Sequence, residues 1–392
     1  MPDGPLSEQP DPTPPQSEEE RLDWLCLIRS RRVGAVTFRR LLSEYGSARA
    51  ALEALPQIAS QAGVGGYTAC SAEMARAELQ AGARIGAEFL PLGAADYPPQ
   101  LAATPDAPPV LWLQGRRALL QRPMLALVGA RNASSLGLRM ARRLAFELGE
   151  AGYVLVSGLA RGIDAEAHQA ALGSGTVAVQ PGGVDVIWPA ENAALAAAIA
   201  REGLCLSEHP PGMRPLARHF PARNRIVAGL ARAVLVVEAA ARSGSLITAR
   251  LALDLGREVL AVPGHPFDAR AAGCNALIRE GAQLLRSAAD LQGAGLPDIA
   301  QPELPGPARS RGAPEPRPAG RDSAVASRKP PRLAEITRLH NLILDRLGPS
   351  PQAEDQLLRD LALPAAQLLP ELLTLELEGR VSRQPGGLIA RK

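Results

Sequence analysis

Lysine is almost absent from this sequence. Of the 43 basic residues among 392, Lys329 and Lys392 are lysines and all the others are arginines. An anion site elsewhere in the chain must therefore use guanidinium groups, which are planar and carry several donors, instead of ammonium groups. A P-loop needs Gly-Lys-Ser/Thr, so the lack of lysine before residue 329 excludes that motif and the P-loop ATPases that depend on it from that part of the chain.

Cysteine, histidine and long apolar runs are scarce as well. The four cysteines (Cys26, Cys70, Cys205, Cys274) form no Cys-x-x-Cys pair, and the five histidines do not cluster with them at ligand spacing. We therefore expect no metal site and a protein kept in its reduced form. No apolar run is long enough to cross a bilayer, and the acidic, proline-rich residues 1–20 lack the apolar region of a signal peptide. We expect a cytoplasmic protein with no membrane partner.

Composition and periodicity divide the chain into six segments. Helical periodicity and the turns RRVGAV and QAGVGGY indicate an all-α, helix-hairpin-helix-type domain at residues 21–88. Such turns can bring backbone N–H groups to a phosphate, but an ordinary packing unit also explains them, and we favour that interpretation. The other segments are a disordered tail (1–20), a proline-rich connector (89–121), a core (122–292), a flexible linker with nine prolines (293–332) and a winged-helix domain (333–392).

The core alternates short apolar runs with helical stretches. This alternation is typical of βαβ units, which build a buried parallel sheet with helices on both faces. The fold class is therefore α/β. The predicted strands are 124–129, 153–158, 176–183, 204–208, 233–239 and 258–264, and the predicted helices are 136–150, 164–173, 192–202, 222–231 and 245–256.

The residues that follow the predicted strands share one chemistry. In an open parallel sheet, ligands bind outside the carboxyl ends of the strands. Glycine allows a ligand to approach the backbone, and the helix N-termini just beyond supply N–H groups. We therefore predict a site for a chain of phosphates or another polyanion. The candidates are Gly129, Arg131, Ser157, Gly158, Arg161, Gly162, Gly182, Gly183, Ser243 and Gly244, beside Ser207, Glu208, Glu238 and Gly264.

Asp164 and His168 are four residues apart and so lie on one face of a predicted helix. A carboxylate and an imidazole placed in this way could carry out acid–base chemistry. A capping aspartate and a buried, hydrogen-bonded histidine are the more common outcome, and we favour that interpretation.

The stretch HFPARNRIVAGL (219–230) lies in a segment without acidic residues. No Asp or Glu occurs between Glu208 and Glu238, whereas five arginines do: Arg214, Arg218, Arg223, Arg225 and Arg232. The alternative is that Phe220 packs before a helix whose first turn carries solvated arginines. Cations at a helix N-terminus oppose the helix dipole, however. We therefore favour a binding surface, in which arginines contact phosphates and Phe220 stacks on a base.

Several long motifs occur in a characteristic order over about residues 124–290. They are SGLARGIDAEAHQAAL (157–172), TVAVQPGGVDVIWPAEN (176–192), SEHPPG (207–212), the run from His219 to Gly264 and GCNALIREGA (273–282). This region resembles the DNA processing protein A (DprA/Smf) family. The resemblance implies an extended Rossmann-like core that forms a homodimer, with a sterile-alpha-motif-like domain before it and a winged helix after it.

The resemblance also implies a function. Members of this family bind single-stranded DNA, protect incoming DNA in natural transformation and bring the RecA recombinase onto it. Carried over to matching positions, the implied DNA contacts are Arg131, Ser157, Gly158, Arg161, Gly162, Phe220, Arg223, Asn224, Arg225, Ser243 and Gly244.

Two departures from the family pattern concern this site. The first motif usually reads Gly-Ser/Thr-Arg, with a tyrosine before its later glycine; here Ala130 and Leu136 stand at those positions. The missing hydroxyl removes one phosphate donor while Arg131 is retained. Lysines of the family's basic pocket must be replaced by arginines, because the core contains no lysine.

An enzyme is the main alternative function. Pro181-Gly182-Gly183 also resembles the phosphoribohydrolases of the lysine-decarboxylase-like group, which continue with Gly-Thr and a nearby glutamate. Val184-Asp185-Val186-Ile187 follows here, so the catalytic glutamate has no match. Carboxylates at the strand ends are too few and scattered for a two-metal nuclease, and a pure scaffold is a third alternative. We expect no enzymatic activity and no cofactor.

Charge and fold point in different directions in the winged-helix domain. A winged helix ordinarily places its third helix in the major groove. The corresponding stretch here, AAQLLPELLTLELEGR (365–380), carries Glu371, Glu376 and Glu378 and only Arg380 at its end. We therefore expect this domain to serve protein contacts instead of duplex DNA.

Overall fold

The computed structural model describes residues 12–294, 333–348, 350–384 and 388–391. The chain divides into two compact units, residues 1–297 and 298–392. Most of the predicted tail, the predicted linker from residue 295 onward and the predicted glycine turn at 385–387 lie outside the described residues.

Four helices open the first unit, in the segment whose periodicity predicts an all-α domain: α1 (Glu18–Arg29), α2 (Ala35–Tyr45), α3 (Ala48–Gln61) and α4 (Ala72–Arg84). Serine side chains cap three of them by accepting a backbone N–H of the first turn. The first helix begins inside the segment predicted to be a disordered tail (1–20). Ser17 and Glu20 form a reciprocal capping box there, which satisfies two otherwise unpaired N–H groups.

All six predicted strands are present and form a parallel sheet. The complete sheet has nine strands in the order β1-β2-β6-β5-β4-β3-β7-β8-β9. Their bounds are β1 (Glu88–Pro91), β2 (Val110–Gly115), β3 (Met124–Gly129), β4 (Val154–Ser157), β5 (Thr176–Val179), β6 (Leu204–Ser207), β7 (Ala233–Val237), β8 (Glu258–Ala261) and β9 (Gln283–Leu284). Strands β1 and β2 are antiparallel, and β3 to β9 run parallel to one another.

Helices connect the strands as expected for an α/β fold. They are α5 (Pro99–Ala102), α6 (Ser135–Glu150), α7 (Ile163–Ala171), α8 (Ala193–Glu202), α9 (His219–Leu230), α10 (Ser245–Asp254) and α11 (Ala272–Arg279). Helix α9 starts at His219, earlier than the predicted 222, so Phe220 lies within its first turn instead of before it. Helix α11 was not predicted.

Residues 89–121, predicted to be a connector, belong to the sheet. Strand β1 pairs with β2, and β2 pairs with β6, so this segment extends the sheet beyond its parallel part. Prolines at 98, 99, 105, 108 and 109 fill the turns between the two strands. Proline cannot donate a backbone hydrogen bond to a neighbouring strand and is therefore confined to strand ends and turns. The many prolines of this segment indicate turns, and for this reason the two short strands were not predicted.

The N-terminal helices and the sheet share one core. Buried Phe38 and Leu41 belong to the same apolar cluster as Val128 and Val156 of the sheet. Glu78, 8% exposed, accepts hydrogen bonds from Arg29 at 2.8 and 2.9 Å and from the Trp112 indole at 2.9 Å. Residues 21–88 therefore form a helical domain that packs against residues 122–292 within the first unit.

Two cysteines that are distant in sequence meet in the N-terminal helices. Burial, followed by the neighbouring Cys70 and Asp23, raises the pKa of Cys26 to about 11. Burial also raises the pKa of Cys70. The thiols are therefore protonated near neutral pH, a state in which cysteine is a poor nucleophile.

The second unit is a winged helix, as predicted. It consists of α12 (Leu333–Arg346), β10 (Gln352–Ala353), α13 (Glu354–Leu361), α14 (Ala365–Leu377), β11 (Val381–Gln384) and β12 (Leu388–Arg391). The strands form an antiparallel sheet in the order β10-β12-β11, around a core that includes Ile343, Leu357 and Leu372. None of the helices described in either unit has the length and apolar character needed to cross a membrane.

Candidate nucleic-acid interface

Arg131 and Phe220 meet at the carboxyl edge of the parallel sheet. Arg131 lies in the exposed loop after β3, and its guanidinium carbon is 5.8 Å from the centroid of the Phe220 ring on α9. This distance is typical of a cation–π pair. Arg131 is exposed and Phe220 is partly exposed. Two predicted DNA contacts, 89 positions apart in the sequence, therefore form one surface feature.

Arg223 lies behind this pair and is 5% exposed. Its Nη1 donates to the Gly158 carbonyl at 2.7 Å and to the Val179 carbonyl. These bonds connect the ends of β4 and β5. Burial lowers the pKa of Arg223 to about 10, opposed by the charge of Asp164. Arg223 is one of the predicted DNA contacts, but its guanidinium already donates to two backbone carbonyls of the protein.

Arg225 is also held within the protein. Its guanidinium forms an ion pair with Glu208 and donates to the Asp106 carbonyl at 2.7 Å. The backbone carbonyl of Glu208 accepts a further bond from Arg29 at 3.1 Å. The segment between Glu208 and Glu238 lacks acids in sequence, but the flanking Glu208 folds back onto it. Arg225 therefore joins α9 to the 89–121 segment and to Glu208, which Arg29 of α1 also contacts.

The glycines at the strand ends are required by the protein's own packing. A Cβ on Gly158 would collide with the Arg223 guanidinium, and one on Gly129 with the Val237 carbonyl. Gly162 has a φ of +75° and lies against the Ala130 carbonyl. Gly182 and Gly183 are packed against backbone atoms of residues 210–215 in the same way. We expected these glycines to let a ligand come close to the backbone. In the structure that space is filled by other atoms of the chain.

Gly244 differs from the other glycines, because a Cβ there would meet nothing within 4 Å. The neighbouring Ser243 is partly exposed, and its hydroxyl is 2.7 Å from that of Ser245. Ser157 is buried and donates to the Leu127 carbonyl at 2.7 Å. Of the predicted polar contacts after β4 and β7, Ser243 and Gly244 are thus open to a ligand and Ser157 is not.

Arg161 and Asn224 complete the predicted set. The Arg161 side chain is 63% exposed and forms an ion pair with Glu191 at 3.0 Å. That pair is exposed, so exchange for a phosphate contact costs little. The Asn224 side-chain oxygen accepts from Arg223 Nε at 3.3 Å. Asn224 therefore helps to orient the buried arginine.

Asp164 and His168 have structural roles, but Asp164 does not cap α7 as we favoured, because the N-cap is Gly162 without a side-chain cap. Asp164 accepts from the backbone N–H groups of Gly158 and Ala160 at 3.2 and 3.3 Å, so it holds the turn before α7. His168 Nδ1 is 2.7 Å from the Thr176 hydroxyl. Burial lowers the pKa of His168 to about 3, which keeps the ring neutral. Neither group is placed for acid–base work on an external ligand.

The part played by Glu238 was missed by the sequence reasoning. Its carboxylate accepts from the Ser134 N–H at 2.8 Å and from the Ser134 hydroxyl, at the start of α6. Gly137 leaves the space that this carboxylate fills. A glycine in the first turn of a helix is the one sequence signal for such a contact, since glycine is a poor helix former. No group of three or more His, Cys, Asp or Glu side chains among the described residues is arranged to hold a metal ion.

Family models match almost the whole chain. The model for DNA recombination-mediator protein A matches residues 88–294, that for the DprA-like N-terminal HHH domain matches 18–81, and that for the DprA winged helix domain matches 327–387. The chain belongs to the DprA family. The DprA core model begins at residue 88, so it includes β1 and β2, in agreement with the structure and not with the predicted connector.

Individual DprA and Smf proteins show the same relationship. Protein Smf of Synechocystis is 34% identical over 401 residues, which covers 94% of this chain and 98% of that protein. The X-ray structure of DprA from Streptococcus pneumoniae superposes with a TM-score of 0.53 and 41% identity, covering 57% of this chain and 77% of that one. A Helicobacter pylori DNA processing protein A structure, described for its single-stranded DNA binding mode, has 31% identity and a TM-score of 0.49, covering 53% of this chain and 95% of that one.

Proposed function

We propose that this DprA-family protein binds single-stranded DNA, without strong sequence preference, at the surface formed by Arg131 and Phe220. The observation that carries the proposal is an exposed guanidinium held over a partly exposed aromatic ring at the sheet edge. A guanidinium binds phosphate oxygens through several donors. Both planar groups also stack on unpaired bases, at about 1–3 kcal/mol per base.

Single strands suit this surface better than duplexes. The bases of a duplex are already stacked on one another, so an aromatic ring can reach them only where strands are unpaired. Stacking is tolerant of sequence because every base has a π-face. The expected specificity is therefore for strandedness.

Further exposed arginines supply phosphate contacts. Arg214 and Arg218 precede α9, and Arg242 lies in the loop after β7; all three are exposed. Arg223 and Arg225, in contrast, support the surface from behind through Gly158 and Glu208. This division predicts that loss of Arg131 weakens binding directly, whereas loss of Arg225 acts through stability.

The biological role follows from family membership. We infer that the protein forms a homodimer through its α/β core, protects incoming single-stranded DNA and loads RecA onto it. The name of the matched family model, a recombination mediator, supports this inference. The inferred role is non-enzymatic. The phosphoribohydrolase alternative is not favoured, because the glutamate motif of that group is absent after Gly183.

A fluorescence anisotropy titration tests the binding proposal. The full chain is titrated into a labelled oligo-dT, a mixed-sequence single strand and a duplex of equal length, over a series of salt concentrations. We expect similar affinities for the two single strands and weaker binding of the duplex. Equal or tighter duplex binding at every salt concentration would contradict the proposal. Light scattering on the full chain tests the dimer, and a monomer at micromolar concentration would remove it.

A further inference from the structure

The N-terminus of α6 is occupied by a carboxylate of the chain itself. One Glu238 oxygen accepts the Ser134 N–H at 2.8 Å, and the other accepts the Ser134 hydroxyl. The Ser134 oxygen in turn accepts the Gly137 N–H at 3.0 Å. Glu238 and Ser134 therefore accept two backbone N–H groups, those of Ser134 and Gly137, at the start of a helix of sixteen residues.

Two independent features of the backbone accommodate this carboxylate. A Cβ at position 137 would lie 2.5 and 2.8 Å from the Glu238 oxygens, so a side chain there would displace them. Glu238 itself has a φ of +50°, a left-handed conformation that non-glycine residues rarely adopt. Such strain persists only where surrounding contacts hold it in place. Both features position one carboxylate at one helix end.

The place that Glu238 fills is chemically suited to a phosphate. A helix N-terminus combines free N–H groups with the positive end of the helix dipole. In open α/β sheets the turn after a central strand is where a pyrophosphate usually sits, and α6 follows β3, which lies between β4 and β7. The first turn of α6 contains no acidic residue of its own. Glu238 is thus the anion that complements this helix end.

We propose that Glu238 determines the specificity of the sheet edge. Its carboxylate lies at the N-terminus of α6, where a free nucleotide or pyrophosphate would otherwise bind, so these small anions are excluded. The same bonds fix the loop from Ala130 to Ser134, which holds Arg131 at the outer surface facing Phe220. The exclusion of small phosphates stands on these contacts alone and does not depend on the proposed DNA binding.

The experiment removes the Glu238 carboxylate from the N-terminus of α6. Glu238→Gly removes the carboxylate and places glycine at a left-handed position, where it is unstrained. Glu238→Gln keeps the shape and removes only the charge. Glu258→Gln, an exposed acid at the start of β8, is the matched control for charge loss. Calorimetry on full-length proteins measures binding of pyrophosphate and of ADP, and hydrogen exchange measures protection of residues 130–134.

We expect Glu238→Gly to bind pyrophosphate at least about tenfold more tightly than the wild-type protein, the equivalent of filling an unoccupied helix end. The loop 130–134 should exchange faster. Glu238→Gln should show neither change in full, because its side chain still fills the space, and Glu258→Gln should match wild type. If Glu238→Gly is only marginally folded, pyrophosphate should raise its Tm in a concentration-dependent manner.

Two results would overturn the proposal. One is pyrophosphate binding of equal strength in the wild-type protein and Glu238→Gly, or in neither of them, with no effect on Tm. The other is unchanged protection of residues 130–134 in Glu238→Gly, which would remove the positioning role. A failure of single-strand binding in the wild-type protein would leave both measurements interpretable, because neither uses DNA.

Discussion

Arg223 donates a hydrogen bond to the carbonyl of Gly158 at 2.7 Å, and its guanidinium fills the space that a side chain at position 158 would need. Both residues belong to motifs that imply DNA contact. In the structure Gly158 makes room for Arg223, behind the exposed Arg131 and the partly exposed Phe220. The glycine-rich edge is therefore a close-packed scaffold that presents Arg131 and Phe220.

Gly158→Ala should destabilise the protein. The new methyl group collides with a buried guanidinium that is held by two carbonyls, and such overpacking typically costs about 1–3 kcal/mol. Gly244→Ala is the matched control, because its Cβ enters open space at a negative φ. Chemical unfolding measures both. Equal unfolding free energies for the two variants would show that Arg223 can move aside without cost.

Arg131→Ala and Phe220→Ala should weaken single-strand binding in different ways. Removing the arginine should lower the salt slope by about 0.7 for each phosphate that it neutralises in the wild-type complex, because fewer counterions are released. Removing the ring should cost about 1–3 kcal/mol with little change in slope. Anisotropy titrations over a salt series measure both quantities. Equal slope changes in the two variants would contradict this division of roles.

Arg225→Ala should act mainly on stability. Burial raises the pKa of Glu208, and the charges of Arg225 and Arg29 oppose that effect; without Arg225, Glu208 becomes a mostly buried carboxylate that has lost its ion-pair partner. Breaking such a pair costs about 3 kcal/mol. The double variant Arg225→Ala/Glu208→Gln should recover part of the stability. Under conditions where Arg225→Ala is folded, its salt slope should equal that of wild type; a slope lowered as in Arg131→Ala would instead make Arg225 a phosphate ligand.

Stability should fall in mild acid because of His168. Burial lowers its pKa from 6.5 to about 3. Between these two pH values the histidine is therefore protonated in the unfolded chain and neutral in the folded chain. The contribution is fully present above pH 6.5 and is lost progressively toward pH 3, by about 2 kcal/mol between pH 6.5 and about pH 5. His209, whose pKa burial lowers to about 4, adds to the trend.

Unfolding at a series of pH values, compared between wild type and His168→Gln, measures this contribution. The variant should show a shallower decline, and His265→Gln at an exposed position should follow wild type. An identical decline in all three proteins would assign the acid sensitivity to other groups.

A chain ending at residue 294 should keep most of its single-strand affinity. In the winged helix, Glu371 pairs with His340 at 2.6 Å, Glu376 with Arg383 at 3.5 Å and Glu378 with Arg380 at 3.5 Å. The last two of these pairs offset the charges of Arg380 and Arg383, just before and on β11, which would otherwise be available to DNA. Anisotropy on the shortened and full chains makes the comparison. A decrease in affinity beyond about tenfold would place a necessary DNA contact in residues 295–392.

The strands of the parallel sheet were predictable because burial on both faces produces continuous apolar runs. β3 begins and ends where the run 124–129 places it, and β4 to β8 lie within their predicted runs. Strands β1 and β2 were not predictable in this way, since the prolines around them indicate turns. Their place in the sheet depends on pairing between Trp112 and Ser207, 95 positions apart.

The candidate site, like the sheet, was predictable only in part. The sequence by itself determined the α/β core, its position between a helical segment and a winged helix, and the chemistry of its edge: arginine, glycine and one aromatic side chain. Tertiary structure alone decided which arginines remain available to a ligand. Arg223 and Arg225 are equally basic in the sequence, but their partners are the carbonyl of Gly158 and the carboxylate of Glu208. Whether an arginine is exposed or already paired within the protein depends on groups that folding brings to it. Those groups are distant in the sequence, so the residues around the arginine do not predict them.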